Sequence, residues 1–133
     1  MIEIGKVREQ IVEVDDRIAI NFLGLEGARV LSTPQMIGLM ERVSRDLLFD
    51  MLEEGKDSVG TVVNVKHLGA APMGTKVTFR AKLIALEGRR ATFEVEAFDD
   101  HEKIGEGQHE RFIITVANFA EKMKKKRNTD FSL

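Results

Sequence analysis

The chain has 133 residues, enough for one domain with a real core and too few for two ordinary ones. With 43% hydrophobic and 32% charged residues it reads as a soluble globular protein, and no apolar run approaches the roughly 18 residues of a membrane span. The absence of cysteine excludes disulfides and thiolate metal sites, and a net charge of −2 gives no overall attraction to nucleic acid.

The N-terminus, MIEIGKVREQ, mixes charge with single apolar residues and has no continuous apolar stretch of the signal-peptide kind, which predicts a cytoplasmic protein. Lys6 to Val14, with β-branched residues among charges, predicts an edge strand. Between Asp15 and Leu31 the pattern is mixed: IAINF suits a short strand, and the Gly24–Gly27 neighbourhood suits a connection. Ser32-Thr33-Pro34 marks a helix start, with Thr33 able to cap and Pro34 fitting the first helical position. The helix is expected to run to about Glu54, where Gly55 can supply a left-handed turn. The period then changes, and Ser58–Ala71, Lys76–Glu87, Arg90–Asp99 and Lys103–Val116 read as strands. Pro72–Gly74, Gly88–Arg89 and Asp99–Glu102 join them, and such short connections favour antiparallel neighbours. From Ala117 to Arg127 a helical turn or two is expected before a C-terminal tail. Residues 121–133 hold five basic side chains against Glu121 and Asp130, a net +3 that leaves −5 for the rest. The tail lacks interleaved aromatics, so a nucleic-acid role is not expected.

Two ionisable residues stand out from this frame. Advancing 100° per residue places Met36, Ile37, Met40, Val43, Ser44, Leu47, Leu48, Met51 and Leu52 on one broad arc, with Glu41 between Leu48 and Leu52. A carboxylate facing a core costs several kcal/mol unless it is paired, hydrogen-bonded or protonated. On the strand SVGTVVNVKHLGAAP, simple alternation puts His67 on one face with Val59, Thr61, Val63 and Val65. One long apolar helix followed by four antiparallel strands predicts an α+β architecture in which a curved sheet wraps around the helix, burying it.

The stretches VLSTPQMIGLME, SVGTVVNVKHLGAAPMGTKV, EGRR and EKIGEGQHER, within about Val30 to Arg111, resemble the fluoroacetyl-CoA thioesterase group of the hot-dog thioesterases. The resemblance implies a hot-dog fold over a single domain, residues 1–133, and hydrolysis of an acyl-CoA. It maps the family's Thr, Glu and His triad onto Thr33, Glu41 and His67. It also places the glycine near the thioester carbonyl at Gly60 and the arginine near the acyl group at Arg111. Hot-dog proteins of this kind are homodimers with active sites at the subunit interface. Specialised members carry an aromatic-rich lid before the Thr, whereas Asp15–Leu31 offers Phe22 alone, so weak discrimination of fluoroacetyl from acetyl groups is expected.

The side chains themselves suit this chemistry. Thioester hydrolysis needs water activation or direct attack, a donor for the developing oxyanion, and a route for stabilising the departing thiolate. Glu41 is the candidate base or nucleophile, and His67 can orient it or shuttle a proton. Thr33 offers a hydroxyl, and Gly60 lets a backbone N–H approach the carbonyl closely. Taken singly, Thr33 is an ordinary cap, Gly60 a bulge, Arg111 a surface ion pair with Glu94, Glu96 or Glu110, and His101 and His109 structural. Neither a metal nor another cofactor is called for, and CoA's phosphates have Lys66, Arg89, Arg90 and the tail lysines available. An acyl-CoA dehydratase and a non-catalytic acyl-CoA-binding module remain the alternatives. Thr33 and Glu41 pose a geometric problem, since eight residues of regular helix span about 12 Å. Either Thr33 folds back from the preceding loop, or the working partners come from two chains.

Overall fold

The computed structural model describes residues 1–128. In chain order it contains β1 (Val7–Glu13), α1 (Thr33–Phe49), β2 (Lys56–His67), β3 (Lys76–Glu87), β4 (Arg90–Phe98), β5 (Lys103–Thr115) and α2 (Val116–Asn128), with a short 3₁₀ turn at Glu26–Ala28. The five strands form one antiparallel sheet in the order β1-β3-β4-β5-β2. The sheet packs one face on α1, so the architecture is the helix-in-sheet arrangement that the sequence predicts.

Alternation explains that face. Val77, Phe79, Ala81 and Leu83 of β3 and Ala91, Phe93, Val95 and Ala97 of β4 are buried at every second position. They meet Met36, Met40, Val43, Leu47 and Leu48 of α1, each worth about 1.5–3 kcal/mol when fully buried. At the β3–β4 hairpin, Glu87 pairs with Arg90 across a two-residue turn, and Gly88 takes the positive φ (+60°) that such turns require.

Three boundaries differ from expectation. The helix ends at Phe49, not Glu54: Asp50 N–H still reaches Asp46 O, but Met51 and Leu52 bond only three residues back, to Leu48 O and Phe49 O, as tight turns leading into β2. β2 stops at His67, not Ala71, because the N–H groups of Leu68 and Gly69 both turn to Ile104 O while Ala71 O accepts from Leu31 N–H. The last helix has 13 residues, longer than a turn or two, and none of them is buried. The tail expected after it, residues 129–133, lies outside the described residues. IAINF makes a single bridge, Ala19 to Leu31, in place of a strand. Among the described residues no helix is long and apolar enough to cross a membrane.

Candidate active site

The start of α1 supplies the first half of the site. Ser32, not Thr33, is the N-cap, its hydroxyl accepting from the Gln35 N–H at 3.2 Å. Relieved of capping, Thr33 points its hydroxyl at His67, with Oγ1 2.7 Å from Nδ1. The two elements meet because His67 lies opposite Gly105 on β5, and a Cβ at Gly105 would sit 2.7 Å from Met36 Sδ and 3.0 Å from Met40 Cε. Only a bare backbone there lets the first turns of α1 settle over this end of β2. His67 Nε2 is buried without a hydrogen-bond partner in the described chain. Burial lowers the proton affinity of this imidazole, and the Gly69 backbone opposes that shift without closing a hydrogen bond on Nε2. A cleft of 440 Å³ opens beside the pair, walled by Ile20, Phe22, Val30, Leu31 and the backbone from Leu68 to Ala70.

A bulge creates the second half. Gly60 pairs with Arg111 and Val62 with Glu110, so Thr61 is an extra residue on β2. One extra residue reverses the face of everything before it. The face shared with His67 therefore comprises Ser58, Gly60, Val63 and Val65, opposite the inward Ile113, Arg111, His109 and Gly107; Val59 belongs to the other side. The alternation read from sequence fails here for that reason. Gly60 then faces α1 directly: a Cβ would lie 2.7 Å from Glu41 Oε2, 3.2 Å from His109 Cε1 and 3.4 Å from Arg111 Nη1.

Glu41 itself needs a correction. Its side chain is 41% exposed, so the carboxylate rims the apolar stripe and is not sunk in it. Ending α1 at Phe49 removes Met51 and Leu52 from the helical arc that was expected to enclose it. Its cation is Arg111, whose Nη1 lies 3.7 Å from Oε2; Arg111 thus points inward to Glu41 and does not form the surface pair with Glu94, Glu96 or Glu110 that its sequence context suggests. Arg111 is buried, with Nε donating to Ser58 Oγ (2.7 Å), Nη2 to Ser58 O (2.8 Å) and Nη1 to His109 Nε2 (3.1 Å). Desolvation weakens its hold on the proton and the charge of Glu41 strengthens it, a balance that leaves an arginine cationic. Gly38, Arg42, Arg45 and Asp46 complete the rim of this second pocket.

The two halves do not meet within one chain. Thr33 is the first residue of a regular helix and does not fold back, so its hydroxyl and the Glu41 carboxylate stand about two turns apart, roughly 12 Å along the axis. The structure thus joins Thr33 with His67, and Glu41 with Gly60 and Arg111, as separate clusters. Ser58 and His109 were missed by sequence reasoning. His109 was within reach of it, since residues two apart on a strand share a face and Arg111 was already a candidate.

A family model described as fluoroacetyl-CoA-specific thioesterase matches residues 12–117. The fluoroacetyl-CoA thioesterase of Streptantibioticus cattleyicolor is 40% identical over 101 residues, 76% of this chain and 73% of that protein. A solved structure of the fluoroacetyl-CoA thioesterase superposes with a TM-score of 0.84 at 32% identity, over 98% of this chain and 99% of that one. A Thermus thermophilus protein described as a thioesterase superfamily member gives 0.86 at 27% identity, over 96% and 94%.

Proposed function

The chain belongs to the fluoroacetyl-CoA-specific thioesterase family, and we propose that it cleaves short acyl-CoA thioesters at a site built by two copies of the chain. Acyl-CoA hydrolysis comes with that membership; the residue roles and the second copy are those the resemblance implies, with geometry in their support, and the short acyl group is argued from the space at Gly60. The observation that carries the reading is the division of the site: a hydroxyl–imidazole pair at one end of β2, and a carboxylate over a bare backbone at the other.

Among the described residues β2 is an edge strand with no neighbour on its far side, and Val62 and Val63 are 43% and 39% exposed. Two copies of β2 pairing antiparallel about Asn64, with Thr61 again the extra residue, would set His67 of one opposite Gly60 of the other. Both residues then lie on the helix-facing side. Such a pairing brings Thr33 and His67 of one copy to Glu41, Gly60 and Arg111 of its mate.

In the assembled site the Gly60 N–H receives the thioester oxygen as it gains charge, and Arg111 lies beside the acyl group. Glu41 takes a proton from water, the water oxygen bonds to the carbonyl carbon, and the C–S bond breaks. That proton passes from Glu41 through His67, oriented by Thr33, to the departing sulfur, giving the free acid and CoA and leaving both side chains as they began. Glu41 and Arg111 crowd the space above Gly60, which favours short acyl chains. Dehydration would use an imidazole and an acid but has no need for Thr33 or Gly60, so the dehydratase alternative is the weaker reading. Every step is carried by the side chains named, and none of them calls for a metal.

Purified protein incubated with saturated acyl-CoAs of two to sixteen carbons, with free thiol detected, tests this. Cleavage favouring the shortest chains and surviving prolonged chelation is expected. Failure on every saturated substrate, or activity that chelation abolishes and divalent metal restores, would overturn it.

A further inference from the structure

His109 lies outside every role assigned above, yet it is 1% exposed and in contact with Arg111. Its Nδ1 stands 2.7 Å from Val62 O, at the β2 bulge. A carbonyl only accepts, so Nδ1 carries the hydrogen. A guanidinium only donates, so Nε2, 3.1 Å from Arg111 Nη1, is the bare nitrogen. The contacts thereby select one neutral tautomer. Burial and the nearby Arg111 charge both disfavour a second proton, while the Val62 carbonyl and the charges of Glu41 and Glu110 oppose them less strongly. Phe93 stacks against the ring, with centroids 6.2 Å apart, and holds its plane.

Arg111 consequently has its Nε and Nη2 fixed by Ser58 and its Nη1 fixed by His109. The two anchors differ in what they control. Ser58 holds one edge of the planar guanidinium, whereas His109 gives Nη1 its one hydrogen bond among the described residues, on the nitrogen that faces Glu41 and the space over Gly60.

We infer that His109 is a positioning residue: through the Val62–His109–Arg111 hydrogen-bond chain it fixes the one guanidinium nitrogen that faces the acyl site. The inference rests on the hydrolytic reading for its kinetic consequence, although not for its geometric one. It also ties the bulge to the reaction, since the carbonyl that orients His109 belongs to the residue just after the extra Thr61.

Two substitutions separate the bonds of His109. His109→Asn retains an amide N–H near the former Nδ1 and so keeps the Val62 bond while losing the Arg111 bond. His109→Gln places an acceptor near the former Nε2 and does the reverse. Each leaves one buried polar group without its partner, so the two should melt at similar temperatures. Acetyl-CoA hydrolysis is expected to lose at least about tenfold in kcat for Asn and to stay within about threefold of wild type for Gln, with KM moving less than kcat. Arginine side-chain ¹⁵N NMR supplies the readout that needs no turnover. Separate, slowly exchanging Nη resonances for Arg111 are expected in wild type and Gln, and faster exchange between them in Asn, where only the Ser58 bonds remain. Equal loss of turnover in both variants in proportion to their melting temperatures, or exchange in Asn as slow as in wild type, would overturn the proposal. A wild type with a locked Arg111 and no cleavage of any acyl-CoA would instead remove the hydrolytic reading and leave the positioning intact.

Discussion

Gly60→Ala is the substitution for which the structure gives a worked magnitude. The new methyl would stand 2.7 Å from Glu41 Oε2, closer than real contacts allow, and 3.2 Å from His109 Cε1. If Glu41 stayed put, overpacking would cost about 1–3 kcal/mol. It need not stay, since that oxygen is the tip of a side chain that is 41% exposed, and a rotamer change relieves the contact. Replacing a strand glycine also restricts the unfolded chain, stabilising by about 0.4–1 kcal/mol. With the Glu41 contact relieved, most of the overpacking cost disappears and the gain offsets what remains, so stability should stay within about 1 kcal/mol of wild type, a melting shift of roughly 4 °C at most. Activity should not be spared. The methyl occupies the space assigned to the acyl carbonyl and displaces the carboxylate, so turnover should fall by about a hundredfold or more, the scale of losing a positioned acid–base group. Thiol release from acetyl-CoA and thermal melting on one preparation measure both. A Gly60→Ala protein with normal turnover would refute the reasoning, because it would show that neither the space nor the carboxylate position matters.

Glu41→Gln should keep shape and hydrogen bonding and lower turnover by at least about a hundredfold, with stability changed by less than about 1 kcal/mol, since the ion pair is partly exposed and Arg111 keeps its three hydrogen bonds; a destabilised but active variant would argue for a structural role. Stability should depend on pH through His67 and His109, both held below the usual histidine range by burial. The unfolded chain then takes up protons first, so stability should be level above about pH 7 and fall as the pH drops below about 6.5. Melting temperatures that rise between pH 7 and 5.5 would contradict this sign. Selectivity for fluoroacetyl over acetyl groups should stay below about a hundredfold, the usual limit of 1–3 kcal/mol for a small apolar difference. Phe22, the aromatic before Thr33, borders the cleft but is 76% exposed, too open to form a lid by itself, and a many-thousandfold preference in kcat/KM would show that another feature discriminates.

Much of this arrangement was legible from residues alone, and the misses have definite causes. Period-3.6 and period-2 burial revealed α1 and the four strands because each element buries one face, and that face must be apolar. Thr33 read as a cap because a hydroxyl before Pro34 is the ordinary helix start. Ser32 competes for the same N–H on equal chemical terms, and only the position of His67 decides between them. The face of His67 was misjudged because a bulge leaves no mark in a run of β-branched residues; Thr61 is as good a strand residue as its neighbours. Glu41 was expected to be enclosed because the helix was drawn five residues too long. The eight-residue gap between Thr33 and Glu41 needs only the helical rise, so the question of one chain or two can be posed from the sequence alone.

The claim that the site is divided between two chains can be tested by complementation. Glu41→Gln spoils one half of the site and His67→Ala the other, so each variant alone should be nearly inactive. Unfolded together in equal amounts and refolded, random pairing makes about half of the dimers mixed, each with one intact site of two, for about a quarter of wild-type acetyl-CoA hydrolysis. Recovery to that level is the expected result; a mixture no more active than its parents, with mixed dimers demonstrated by mass, would place the whole reaction within a single chain and contradict the account.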